Sequence, residues 1–264
     1  MSAVQPAGIS GKVVLVTGAQ RNIGRATAVA FARAGASLAL TSRRGAEALE
    51  ETSAAVREAG GDADGFALDL ADPEGPERLG AELLARYGRV DVVVHNAAIR
   101  PQTPVGGTAA ATWDEVFAVN VRGAFLLSQA LLPAMVEAGW GRLVFIGGIS
   151  SYIGQRERVA VLSSKLAVVG LARALAFEFA AAGVTANVVV PGFIDTVRGE
   201  VALYGPALDV GGRTRNVPMG RLGGTAEVAN ACLFLASELA AFTTGQELFV
   251  SGGAHPITRE GVGG

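Results

Sequence analysis

The hydrophobic pattern of the chain switches repeatedly between two kinds of segment. Short, nearly unbroken apolar runs occur at Val13–Thr17, Ser37–Thr41, Phe66–Leu68, Val90–His95, Leu143–Ile146, Thr185–Val190 and Leu248–Val250. Runs of this length and β-branched content predict strands buried on both faces. Between them lie longer segments of helical pattern: Ile23–Ala34, Ala46–Ala59, Pro76–Tyr87, Ala111–Glu137, Val159–Ala181 and Thr225–Ser237. Strands alternating with helices predict an α/β fold, a parallel seven-stranded sheet with helices on both faces. Right-handed crossovers then make it a single doubly wound, Rossmann-type domain. No repeat, linker or low-complexity block divides residues 1–264, and the core is expected over about residues 8–253, with loose tails at both ends.

Composition narrows the functional classes. Half of the residues are hydrophobic and only 17% are charged, which suggests that some surface is buried between subunits. A net charge of −2 gives no basic field, so nucleic acid is not an expected partner. Apolar runs such as Thr185–Pro191 fall far short of the ~20 residues that span a bilayer, and Met1–Gly11 lacks the pattern of a signal peptide. The expectation is a cytoplasmic protein with no membrane partner and no metal. The single cysteine, Cys232, lies in the apolar stretch Val228–Ala236 and reads as a buried structural thiol.

The first strand runs into Thr17-Gly18-Ala19-Gln20-Arg21-Asn22-Ile23-Gly24 and then a helix. Glycine belongs in such a turn because the backbone must approach a pyrophosphate closely while helix N–H groups point at the anion. Asn22 stands where a further glycine is usual, and asparagine tolerates left-handed backbone geometry better than most residues. The second strand ends at Arg43-Arg44 in place of the acidic residue that would bond an NAD ribose. Arginine suits a 2′-phosphate, so Arg43 and Arg44, with Arg21, predict NADP(H) in preference to NAD(H).

These features, with Asp69-Leu70 after the third strand, Asn96-Ala97-Ala98 after the fourth and Pro191-Gly192-Phe193-Ile194-Asp195-Thr196 after the sixth, resemble the short-chain dehydrogenase/reductase family, closest in style to β-ketoacyl-carrier-protein reductases. The resemblance implies cofactor contacts at Gly18, Arg21, Asn22, Ile23, Gly24, Arg43, Arg44, Asp69, Leu70, Asn96, Ala97, Lys165, Pro191, Gly192, Ile194 and Thr196. It also implies a substrate lid over 197–216 and a homotetramer (or dimer) built through the two long apolar helices and the last strand.

The catalytic positions depart from the family. A serine is expected near the end of the fifth strand, and a Tyr-x-x-x-Lys helix about a dozen residues later. Here Gly148 falls on the serine position and Val161 on the tyrosine position, while Lys165 and Asn120 are kept. The other lysine, Lys12, has no tyrosine four residues before it either. Arginine supplies 20 of the 22 basic side chains, so a lysine at 165 is chemically pointed. Losing a positioned general acid typically costs about 10²–10⁴ in rate. Ser150 and Tyr152 are the candidate replacement donors, Ser164 a weaker one, and His95 reads as a satisfied strand-end histidine. The charged run Gln155-Arg156-Glu157-Arg158 reads as a solvated, salt-bridged loop, with binding of an anionic substrate as the alternative. Three functions stay open: an NADP-dependent oxidoreductase for a carbonyl or alcohol with an altered proton donor, a catalytically silent NADP-binding relative, or a non-redox lyase or isomerase.

Overall fold

A computed structural model describes residues 8–196, 214–215 and 217–255. The strands are β1 (Val13–Val16), β2 (Ser37–Ser42), β3 (Ala63–Ala67), β4 (Val92–His95), β5 (Gly141–Ile146), β6 (Val184–Pro191) and β7 (Glu247–Val250). All pair in parallel, in the order β3-β2-β1-β4-β5-β6-β7. The principal helices are α1 (Asn22–Arg33), α2 (Glu50–Glu58), α3 (Gly75–Tyr87), α4 (Ala110–Phe117), α5 (Gly123–Glu137), α6 (Ser150–Ile153), α7 (Val159–Phe179) and α8 (Thr225–Ala236).

The apolar strands are apolar because both of their faces are covered. Within β1, Val13 and Leu15 face one core, with Leu83, Leu127, Leu131 and Val168 of α3, α5 and α7. Val14 and Val16 face the other, with Phe31, Val56, Val228 and Cys232 of α1, α2 and α8. Each fully buried side chain of the size of Phe31 or Phe145 contributes about 2–3 kcal/mol by leaving water. Burial pushes the Cys232 thiol up to about 12, as expected of a structural cysteine.

Three elements differ from expectation. β3 spans 63–67 where 66–68 was expected: it is an edge strand paired only with β2, and an edge tolerates the polar Asp64 and Gly65. The segment expected as one helix over 111–137 is interrupted by a π-helical turn at Ala118–Arg122. The short helix α6 lies in what reads as loop. The stretches 110–137 and 159–182 are long and apolar enough to cross a membrane by length and composition, but half of each is buried within the fold, the first interrupted by that π turn. The expected lid, 197–216, and the tail after His255 lie outside the described residues, apart from Thr214 and Arg215.

Strand order reverses between β1 and β4. Loops leaving neighbouring strands at such a point diverge to opposite sides and open a crevice beyond their carboxyl ends, where doubly wound sheets bind ligands.

Candidate active site

The glycine loop fills one wall of that crevice. Asn22 opens α1 at φ 51°, the left-handed conformation anticipated for it. A Cβ on Gly24 would lie 2.4 Å from the Gly18 carbonyl oxygen and 2.7 Å from Asn96 Nδ2, so the turn closes only with glycine there. The loop is tied to β4: Asn96 Nδ2 donates to the carbonyls of Thr17 (2.9 Å) and Gly18 (3.0 Å). In return, Thr17 Oγ1 accepts from the backbone N–H groups of Asn96 and Ala97, each at 3.0 Å. The Asn96 amide thus shapes the phosphate turn from behind, and Thr17 is a positioning residue that the sequence reading passed over. Arg25, also passed over, braces the loop from the other side through Gln20 O, at 2.8 Å, and Thr52 Oγ1, at 3.1 Å.

Beyond β2, Arg43 and Arg44 are exposed, as is Arg21 at the mouth of the glycine loop. None of the three forms an ion pair among the described residues. Asp69 is exposed and accepts from the Ala71 N–H, and Leu70 lines the crevice. On the far side, Gly192 follows β6, and Ile194 bridges to Gly223. Ile194 lines a second small cleft with Phe193 and Met219, and Thr196 is half-buried.

The crevice floor is lined by Thr17, His95, Ala97, Asn120, Phe145 and Lys165, among others. Lys165 is 8% exposed, and its Nζ donates to the Ile146 carbonyl at 2.6 Å. It makes no ion pair among the described residues. Burial, with Arg100 as a like charge in range, pulls its ammonium down to about 7. Asn120 sits at the centre of the π turn, where the extra residue in the helical repeat turns its amide inward. Its Oδ1 accepts from Ile99 N at 2.9 Å, while Nδ2 donates to Ile99 O at 3.1 Å and Ser164 Oγ at 3.0 Å. Asn120 therefore joins the loop after β4 to α7.

Around this floor the remaining candidates separate. Ser164 is fully buried, and its hydroxyl donates to the Val161 carbonyl at 2.8 Å and accepts from Asn120. Tyr152 turns toward β7: its hydroxyl donates to Glu247, and its ring packs edge-on against Phe249 at 5.0 Å. Ser150 opens α6, half-buried, two residues beyond Gly148. A Cβ on Gly148 would meet nothing within 4 Å, whereas Val161 is buried. His95 stacks on Phe145 at 4.5 Å and bonds Ser128 Oγ through Nε2 at 2.9 Å. Burial pulls its imidazole down to about 3, so it is neutral near pH 7.

The run 155–158 is only partly the solvated loop expected of it. Gln155, Arg156 and Glu157 are exposed, but Arg158 is 4% exposed. Its guanidinium reaches inward to the carbonyls of Arg100 and Pro101 and to Gln102 Oε1, so it braces the loop after β4.

The donor set suits a nicotinamide dinucleotide. Among the described residues Lys165 Nζ donates to one acceptor, leaving N–H bonds for ribose hydroxyls, the turn 18–24 brings the start of α1 to the crevice, where backbone N–H groups suit a pyrophosphate, and the outer arginines suit a phosphate.

Comparison with known proteins agrees. Residues 18–255 match a family model described as enoyl-(acyl carrier protein) reductase. The chain is 35% identical to the 3-oxoacyl-[acyl-carrier-protein] reductase FabG of Escherichia coli K12 over 94% of this chain and 98% of that protein. It is 36% identical to a D-threitol dehydrogenase of Mycolicibacterium smegmatis over 93% of each. Among solved structures it resembles a provisionally assigned NAD(P)-dependent gluconate 5-dehydrogenase from Beutenbergia cavernae, with NADP bound at low occupancy (TM-score 0.86, 38% identity, 93% of this chain and 97% of the other). A second, provisionally assigned as a 2-deoxy-D-gluconate 3-dehydrogenase from Agrobacterium tumefaciens and holding NADP, gives a TM-score of 0.82 at 31% identity over 93% and 96%. With sheet order, glycine turn and whole-length similarity in accord, the chain belongs to the short-chain dehydrogenase/reductase family of oxidoreductases.

Proposed function

We propose that the protein is an NADP-dependent oxidoreductase that interconverts an alcohol and a carbonyl without the family's serine–tyrosine pair. The observation that carries this reading is Lys165, kept in the crevice floor beside Asn120 although Gly148 and Val161 replace the two usual hydroxyls. When bound, the cofactor accepts or delivers a hydride at its nicotinamide ring. Gly18, Asn22, Ile23 and Gly24 hold the pyrophosphate, and Arg21, Arg43 and Arg44 hold the 2′-phosphate. Asp69, Leu70, Asn96 and Ala97 flank the adenine and the central ribose. Pro191, Gly192, Ile194 and Thr196 cover the nicotinamide, and Lys165 binds its ribose.

The proton is assigned to Lys165 Nζ. It is the group lining the crevice that changes charge near neutrality, since His95 stays neutral down to about pH 3. Ser150 is the hydroxyl nearest in sequence to the open space at Gly148, and we assign it to orienting the substrate oxygen. The Tyr152 hydroxyl, engaged by Glu247, supports α6 against β7. The protein assembles as a homotetramer and acts on a small molecule in the cytoplasm. Relatives described as acting on acyl-carrier thioesters, polyols and sugar acids leave the substrate class to the pocket.

A fluorescence titration with NADPH and NADH, followed by an alcohol and carbonyl screen, tests this. NADPH is expected to bind at least about tenfold tighter, with the margin removed by Arg43→Ala/Arg44→Ala, consistent with charge-assisted bonds of about 1.5–3 kcal/mol. Oxidation should rise with pH through about 7, and Lys165→Met should abolish that break. Failure to bind either nucleotide rejects the reading. Tight NADPH binding with no turnover of any substrate favours a silent relative, for which valine at 161 is the specific argument.

A further inference from the structure

The crevice floor places a primary amine among groups that give its charge no support. Leu70, Ala97, Ala124, Phe145, Ile146 and Val168 line the cleft beside Lys165 with apolar side chains. Its polar lining is already engaged and carries no negative charge. Asn120 bonds Ile99 and Ser164, Thr17 Oγ1 accepts from the N–H groups of Asn96 and Ala97, and the neutral His95 bonds Ser128. Val161, one turn before Lys165 on α7, brings no hydroxyl. A lysine desolvated in an apolar pocket favours its neutral form, which is the nucleophile. The lowering of Lys165 to about 7, chiefly by burial, agrees with that placement.

The chain has two lysines, and they are held differently. Lys12 pairs with Asp91 at 3.5 Å and lies over the Trp140 ring at 3.8 Å. Lys165 has no acidic partner among the described residues; its Nζ is anchored to the Ile146 carbonyl at 2.6 Å. That anchor suits a condensation product, because a protonated imine keeps one N–H and can donate it to the same carbonyl. Beyond the end of β5 the space is open: a Cβ on Gly148, two residues past Ile146, would meet nothing within 4 Å.

We infer that Lys165 captures small aldehydes covalently in the cofactor-free protein, as an iminium held on the Ile146 carbonyl. The Nζ lone pair forms a bond to the carbonyl carbon, and the C–O bond then breaks. Counted from the ammonium, two of the three nitrogen protons leave with the oxygen as water, and the third stays on the iminium. Nothing is oxidised or reduced. The inference shares Lys165 and its cleft with the oxidoreductase reading but does not depend on it, because no nucleotide takes part.

The test treats the cofactor-free protein with acetaldehyde and cyanoborohydride at pH 7. The reagent delivers hydride to the iminium carbon and fixes the adduct as an N-ethyl group, which peptide mass mapping assigns to Lys165, Lys12 or the α-amino group. Lys165 should be labelled at least about tenfold faster than Lys12, because a larger share of it is neutral at that pH. The advantage should vanish in urea, and Lys165→Arg should leave only the slow labels. Labelling of Lys165 no faster than that of Lys12, or an advantage that persists in urea, overturns the inference. Excess NADPH separates the two readings. Protection of Lys165 by bound NADPH supports both. Fast labelling that continues with NADPH bound keeps the aldehyde site and removes Lys165 from the nicotinamide ribose. Turnover with NADPH but no fast label leaves the oxidoreductase reading standing and the aldehyde site overturned.

Discussion

Lys165 is the side chain to which the proposal above assigns the proton, and its burial has a consequence that does not depend on any substrate. The unfolded ammonium titrates near 10.5, and the folded one is pulled down to about 7, first by desolvation and then by Arg100. Between those values the unfolded chain holds more proton than the folded one, so stability rises with pH across that window. Below about pH 7 both states carry the charge, and the folded protein bears the full cost of burying it. Lys165→Met in the cofactor-free protein should therefore raise stability at pH 6 by about 1–3 kcal/mol, a discounted share of the linkage value. The gain should shrink steadily towards pH 10, as read from urea unfolding at several pH values. A gain constant with pH would mean that Lys165 is buried without a charge penalty. Stability given up at a side chain the fold does not need is the mark of a residue retained for chemistry.

At the scale of elements, the loop after β4, the π turn and the α6–α7 turn act together. Arg158→Met removes the donor to the carbonyls of Arg100 and Pro101, leaving these acceptors in a partly buried setting. The expected cost is about 1–3 kcal/mol. Hydrogen exchange should accelerate at Thr103 N, which bonds Glu157 O, before it does at β4 amides; uniform acceleration would show a global role instead. This arrangement also marks how far the sequence was legible. Strands buried on both faces announce themselves by composition, so the sheet and its helices could be read almost to the residue. Asn22 could be read because its conformation follows from its local chemistry. The function of Arg158 could not: a charged run looks solvated unless the carbonyls it meets, 56–58 positions earlier, are known. The π turn was hidden because one inserted residue leaves the helical pattern on either side nearly intact. The edge strand β3 was misplaced because pairing on one side relaxes the demand for apolar residues.

For the whole molecule, the unexplained quantity is apolar surface. The outer face of α7 presents Leu166, Gly170, Arg173 and Phe177, spaced so that all four lie along one stripe, with Phe177 94% exposed. A Cβ on Gly170 would meet nothing within 4 Å, so this helix leaves room for another backbone to approach. The outer face of α5 adds Phe125 and Val136, and Phe242 is fully exposed after α8. Large apolar side chains this exposed are uncommon in such number on a monomer, and a two-fold axis beside α5 and α7 would bury both helices against their copies. The assembly proposed above uses that face. Leu166→Glu/Phe177→Glu should therefore shift sedimentation from tetramer to a smaller species without destabilising the protomer, because neither side chain belongs to the protomer core. Sedimentation unchanged from the wild type would move the interface elsewhere. A shift to dimer would separate two interfaces, one through α5 and α7 and another through a different surface such as β7. Because α7 carries Lys165 on its inner face and Phe177 on its outer one, the same experiment asks whether assembly steadies the floor of the proposed active site. Activity falling in step with dissociation would show that the subunit contact holds Lys165 in place.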